Sequence, residues 1–310
     1  MAGSSPVLRV FYRCYFGFWI PALAWTSTRW PRAFQYWVAR WLVIRPFGWA
    51  RPRYLRAVQG NLARILHRPA QDPEVRRTAW RMMFQHAYHW IDFFRYSQWP
   101  PGRLDDAIAG VEGGEYFQAA RASGRGTLLL TGHMGNPEVG AIAMGTHFEP
   151  VHVLYWRDRF ATAEEFRSRL RLRGNVHGIP VDASPYSVIP ALEVLRSGGI
   201  VAAHGDRDFN DQGWPAVFFG SPANFPPGPF LLAARAGALI VPTFFLLGAD
   251  RRFRVVFEPP IEVPEDGGLQ ERARQAMERW VGILEERVRQ FPDQWYCFYP
   301  FWSSADRLSP

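Results

Sequence analysis

From about residue 105 onward the chain alternates short apolar runs with longer helical stretches, and that alternation narrows its fold more than any other feature. The apolar runs fall at 107–111, 126–131, 151–155, 176–181, 199–203, 239–246 and 253–257. Helical spacing lies between most of them, at about 113–123, 137–146, 161–172, 185–197 and 227–236. Strand and helix in turn predict an α/β fold, a mostly parallel sheet flanked by helices. In such sheets ligands gather beyond the carboxyl ends of the strands. A last amphipathic helix is predicted at about 268–290, ahead of an aromatic tail running from Trp295 to Trp302.

The chain before residue 105 reads differently. Residues 1–71 hold eleven arginines and no acid, whereas the remainder carries 25 arginines against 28 acids. Within that basic segment aromatics interleave with the arginines, among them Trp19, Trp25, Trp30, Trp37, Trp41 and Trp49. Tryptophan favours the lipid headgroup region, and arginine meets anionic lipid there. The longest uncharged run, between Arg13 and Arg29, spans 15 residues and contains Pro21. It is shorter than the roughly 20 residues of a membrane-spanning helix. Residues 1–50 therefore read as a helical, membrane-associating segment that lies in the interface of an anionic membrane. Nucleic-acid binding, which also uses arginine and aromatics, is disfavoured by the tryptophan density and the long apolar runs. Residues 51–104 read as a helical segment, its second helix opened by Asp72-Pro73-Glu74, and 105–310 as the α/β core. His86 and His89 fall among aromatics on that second helix and read as packing residues. The two cysteines, Cys14 and Cys297, show no metal-binding spacing and read as reduced thiols of a cytosolic setting.

Candidate chemistry centres on Arg125–Glu138. A buried strand leads to His133, Gly135-Asn136-Pro137 turns the chain, and Glu138 sits on the first turn of an apolar helix. A carboxylate that holds an imidazole makes it an oriented general base. Histidine followed five residues later by an acid also occurs at His67/Asp72 and His177/Asp182. The first lies in a polar connection at a helix end. The second lies in or beside a strand, where an offset of five sends the two side chains to opposite faces. Strand–turn–helix context singles out His133 and Glu138.

On these residues the chain resembles the lysophospholipid acyltransferase superfamily, and within it the lipid A late-acyltransferase (lauroyl/myristoyl acyltransferase) family. The likeness runs through Arg173-Gly174-Asn175, Asp206-Arg207-Asp208, Phe219-Gly220, Ala223, Gly228, 234–238 and Val241-Pro242. Pro137 departs from the aromatic residue usual there, and the tail lacks the usual basic ending. The resemblance implies a glycerolipid acyltransferase-like fold on the cytoplasmic face of the bacterial inner membrane. It implies an acyl-acyl carrier protein or acyl-coenzyme A donor, a glycolipid acceptor and no cofactor. His133 would be the base and Glu138 its partner, while Arg173, Asp206 and Asp208 would contact substrate. Backbone N–H groups near Gly135 and Asn136, at a helix N-terminus, are candidates to receive the oxyanion.

Two other classes compete. Asp206 and Asp208, with His204 and Asp211 nearby, have a composition that suits a divalent metal, as in a nucleotide-sugar glycosyltransferase. A non-catalytic lipid-binding protein of the membrane surface is the other. No G-x-S-x-G elbow occurs in the chain, which argues against a serine hydrolase.

Overall fold

The computed structural model describes residues 22–157, 161–181 and 184–302. Residues 22–29 form α1; α2 (Arg32–Val38), a π-helical turn (Ala39–Ile44) and α3 (Arg45–Ala50) follow. Next come α4 (Pro52–Ile65), α5 (Pro73–Tyr96) and a short α6 (Pro101–Asp105). The remainder runs β1 (Ile108–Glu112), α7 (Gly114–Ala122), β2 (Thr127–Thr131), α8 (Pro137–His147), β3 (Val151–Tyr155), α9 (Ala161–Arg173) and β4 (Val176–Pro180). A 3-10 turn (Pro185–Val188), α10 (Ile189–Arg196), β5 (Ile200–His204), β6 (Trp214–Phe218), β7 (Ser221–Phe225), α11 (Gly228–Ala236), β8 (Leu239–Leu247), β9 (Phe253–Phe257) and α12 (Leu269–Gln290) complete the order.

Seven strands form one sheet in the order β1-β9-β8-β2-β5-β3-β4. Only β8 and β9 pair antiparallel within it. The predicted α/β architecture and its seven strands are therefore present. What periodicity did not show is the antiparallel hairpin β6–β7, a separate two-stranded ribbon. Its prolines, Pro215 and Pro222, suggest loop, yet a two-stranded ribbon has outer edges where a missing N–H costs no ladder bond. Phe219 and Gly220, both at positive φ, make its two-residue turn.

Strand β2 shows why the sheet is buried on both faces. Leu128 and Leu130 enter a cluster with α4, the first half of α5, α10, α11 and α12, whereas Leu129 points to the cluster formed by α7, α8 and the second half of α5. Helix α5 is long enough, at 24 residues, to contribute to both. Its capping agrees with the sequence: the Asp72 carboxylate accepts from the Glu74 N–H at 2.7 Å. Helix α12 buries Ala273, Ala276, Met277, Trp280, Leu284 and Val288, the three-and-four spacing of an amphipathic helix.

The N-terminal helices are pinned to α5 by a buried polar network. Arg32 grips the Asp92 carboxylate with two bonds of 2.8 and 2.6 Å, the Tyr36 hydroxyl donates to the same group, and Arg95 donates to Gln35 and the Trp30 carbonyl. Outward, Trp25, Trp30, Phe34, Trp37, Trp41, Leu42, Val43, Phe47 and Trp49 are exposed. Contiguous exposed apolar surface of this kind marks a membrane or partner contact. Among the described residues no helix is long and apolar enough to cross a membrane. Cys14, Asp182 and the first part of the anchoring segment lie outside the described residues; Cys297 is a buried free thiol.

Candidate active site

Parallel pairing sets the site. In the β2–β5 register Thr131 lies opposite His204, so the chain leaves both strands at the same level. Two residues beyond each partner stand His133 and Asp206. The His133 ring Nδ1 is 2.7 Å from Asp206 Oδ1, and Asp206 Oδ2 accepts the His133 backbone N–H at 2.9 Å and the Trp295 indole N–H at 3.0 Å. Burial works against the charge of Asp206, but His133, its hydrogen bond and Arg207 outweigh it and hold the carboxyl well below its usual range. Burial, reinforced by the Arg207 cation, keeps the His133 imidazole below its ordinary value. A neutral ring beside an ionised carboxylate has one consistent tautomer: Nδ1–H donates to Asp206, and Nε2 keeps a lone pair.

The carboxylate expected from spacing lies elsewhere. Glu138 forms a two-bond pair with Arg171, one bond measuring 2.9 Å from Arg171 Nε to Glu138 Oε2. Burial disfavours the Glu138 anion, yet Arg171, with Arg167 behind it, holds its pKa down. The expected contact between His133 and Glu138 is thus replaced by His133–Asp206 and Glu138–Arg171. Spacing within one loop cannot reveal a partner that a neighbouring strand delivers through its register.

Arg173 is exposed, and Arg171, two residues earlier, enters the cavity in its place. Two residues turn an α-helix by about 200°, so only one of the pair can face inward. Asp208 accepts from the Gln212 and Gly213 backbone N–H groups at 3.2 and 2.9 Å and ties the turn after β5. Asp206 and Asp208 thus serve different partners, and among the described residues no cluster of three or more potential ligands forms a metal site.

The expected backbone oxyanion donors are also engaged. Gly135 N–H donates to the Gln294 carbonyl at 2.9 Å and Asn136 N–H to the Phe245 carbonyl at 2.7 Å. The Asn136 side chain accepts from Val139 N–H and donates to the His89 carbonyl, capping α8. Gly135 sits at φ +65, and a Cβ there would meet the Phe245 oxygen at 2.2 Å. Gly135→Ala is therefore expected to destabilise the fold by about 2–5 kcal/mol through left-handed strain and overpacking. A thermal-unfolding midpoint within 1 or 2 °C, roughly, of the parent would contradict this.

The aromatic tail, to which the sequence assigned no role, is bonded to the loop that carries His133. Tyr296 N–H donates to the His133 carbonyl at 2.8 Å, and Trp295 reaches Asp206 as described. A tryptophan that is 1% exposed needs a partner for its N–H, and this one finds the orienting carboxylate.

His133 opens into a cavity of about 820 Å³. Its walls are largely apolar, with Leu129, Met144, Val153, Leu232, Phe245 and Val255, while His86, His89, Glu138, Arg167, Arg171, His204 and Arg207 supply polar groups. His86 and His89 are thus both packing residues and cavity wall: His86 lies edge-on against Tyr296 and Phe298, and His89 Nδ1 is 3.2 Å from the Gly135 carbonyl. A cavity of this size and polarity suits a chain-like apolar ligand with a polar head.

The profile of a family described as bacterial lipid A biosynthesis acyltransferase matches residues 9–304. The chain belongs to that family. It is accordingly an acyl-transfer enzyme, and the family supports a lipid of the membrane as its acceptor. Similar proteins include the phosphatidylinositol mannoside acyltransferase of Mycobacterium tuberculosis, in strains CDC 1551 / Oshkosh and ATCC 25618 / H37Rv. Each is 25% identical over 252 residues, covering 78% of this chain and 75% of the relative.

Proposed function

We propose that this acyltransferase moves a fatty acyl chain from an acyl carrier protein or coenzyme A thioester to a hydroxyl of a lipid A precursor or related glycolipid. The reaction would take place at the cytoplasmic face of the bacterial inner membrane. The observation that carries the reading is the contact of His133 with Asp206 in the wall of a largely apolar cavity. His133 Nε2 takes the proton of the acceptor hydroxyl as its oxygen attacks the thioester carbon, and Asp206 stabilises the imidazolium. The carbonyl re-forms, the carbon–sulfur bond breaks, and the departing thiolate takes the proton back. A thioester is already activated, so no side-chain nucleophile is required. Arg207 in the wall adds a positive charge that would suit an anionic headgroup, in keeping with the phosphatidylinositol mannoside named for the relatives.

Lipid mass spectrometry of cells with and without the gene tests the reading. A glycolipid heavier by one acyl chain, present only with the gene, supports it; an unchanged glycolipid profile refutes it. Because the base must be neutral, kcat/KM should rise with pH and level off, with its inflection below the ordinary histidine value of about 6.5. An inflection above about 7 would contradict the lowered pKa of His133 described above.

The exposed aromatics of α1–α3 and the arginines among them support docking on an anionic bilayer. Deleting residues 1–50 is expected to move the protein from membrane pellets to the supernatant. Retention on vesicles containing anionic lipid would count against this segment as the anchor.

A further inference from the structure

The four backbone N–H groups from His133 to Asn136, in the loop that carries the base, are engaged inside the protein. His133 donates to Asp206, Met134 to the Gly132 carbonyl, Gly135 to Gln294 and Asn136 to Phe245. With these four engaged, a donor for an oxyanion formed beside His133 is sought on a neighbouring element. A candidate is His204, the last residue of β5, which the pairing of β2 and β5 sets opposite Thr131. Its ring stacks on that of His133, with centroids 4.1 Å apart and planes 27° from parallel. It lines the cavity and takes no hydrogen-bond partner among the described residues.

His204 is half-buried, so a ring nitrogen without a protein partner can serve a ligand bound in the cavity. Burial, with His133 next to it, pushes the His204 imidazole down to about 3, so it stays neutral throughout the working range. A neutral imidazole keeps one N–H and cannot compete with His133 for the acceptor proton. Neutral histidine is a known form of electrophile for polarising a carbonyl.

We propose that His204 is the oxyanion donor of this enzyme and a second catalytic residue beside His133. Two rings one stacking distance apart can address two oxygens on the same tetrahedral carbon. His133 Nε2 binds the incoming oxygen, and the His204 N–H binds the former carbonyl oxygen. As the acceptor O–H loses its proton to His133, the new C–O bond forms and the carbonyl π pair moves onto the oxygen that His204 holds. When that pair returns, the C–S bond breaks and the thiolate leaves with the proton from His133. His204 transfers no proton at any stage. Arg207 lies in the same wall, where its guanidinium donates to the Tyr296 carbonyl and adds positive field behind the site.

The proposal rests on His133 acting as base on a thioester, but it does not depend on which lipid is the acceptor. The test is accordingly thiol release from palmitoyl-coenzyme A by the full chain in detergent, with water or added membrane lipid as acceptor. His204→Phe keeps a ring on His133 and removes the donor; His204→Gln supplies an amide N–H at similar reach. His204→Phe is expected to lower kcat by about 10²–10³ with KM changed less than about threefold. His204→Gln should regain at least about tenfold of that loss, and the pH limb should keep its position in both. Wild-type kcat in the Phe variant overturns the proposal, as does a rise in KM at constant kcat. An equal loss in Phe and Gln variants of unchanged melting temperature also overturns it, because the ring rather than its N–H would then matter. Thiol release that responds to His204 as predicted, without an acylated lipid product, would instead count against the acceptor assignment above.

Discussion

Asp206→Asn is expected to lower kcat by about 10³–10⁴ while leaving the protein folded. Asparagine is isosteric, and its amide oxygen still accepts from the His133 backbone N–H and the Trp295 indole, the two contacts that hold the 206 side chain in place. What changes is the atom facing the imidazole. At Asp206 the Oδ1 oxygen accepts from Nδ1–H at 2.7 Å and reserves the Nε2 lone pair for the substrate. An amide NH2 in its place donates, so Nδ1 becomes the acceptor and Nε2 carries the proton. The base is then in the wrong tautomer, and the imidazolium formed during attack has no anion to stabilise it. Steady-state rates of acyl transfer, with near-ultraviolet circular dichroism as a check on folding, measure the effect. A loss of less than about tenfold would remove Asp206 from the machinery.

The fold was largely legible because its signals are local. Leu128–Leu130 are apolar on consecutive positions, as only a strand covered on both faces can be, and Gly135-Asn136-Pro137 is turn, cap and first helical residue in one run. The histidine was legible for the same reason: it stands where a buried strand ends. Its carboxylate was not, since Asp206 comes 73 residues later and reaches His133 only because β5 pairs parallel to β2 in one register. The block Asp206-Arg207-Asp208 carried the information in the sequence, but two aspartates one residue apart suggest a shared ligand. Each instead binds different protein groups. Trp295 was less accessible still. An aromatic tail at the end of a chain reads as packing until the indole N–H is seen to reach the buried carboxylate.

Glu138 and Arg171 form the second site at which a large effect is expected, on stability rather than on rate. Their side chains are only 16% and 5% exposed, so removing one partner leaves the other charge buried without compensation. Arg171→Met and Glu138→Leu should each destabilise the protein by about 3–5 kcal/mol. The double variant, which leaves no buried charge, should be more stable than either single one. The sign of the pH dependence follows from Glu138. Its folded pKa lies below the unfolded one, so the pair's contribution is complete above pH about 4.3 and fades as pH falls toward the folded value. The wild type and Glu138→Leu should therefore converge in stability in acid. Denaturant unfolding at several pH values measures this, and single and double variants that lose stability additively would disprove the coupling. The double variant also discriminates between the two carboxylates as partners of His133. If it folds and retains at least about ten times the kcat of Asp206→Asn, Glu138 shapes the cavity wall and Asp206 orients the base. If its kcat falls as low as that of Asp206→Asn, the spacing-derived pairing of His133 with Glu138 regains its standing.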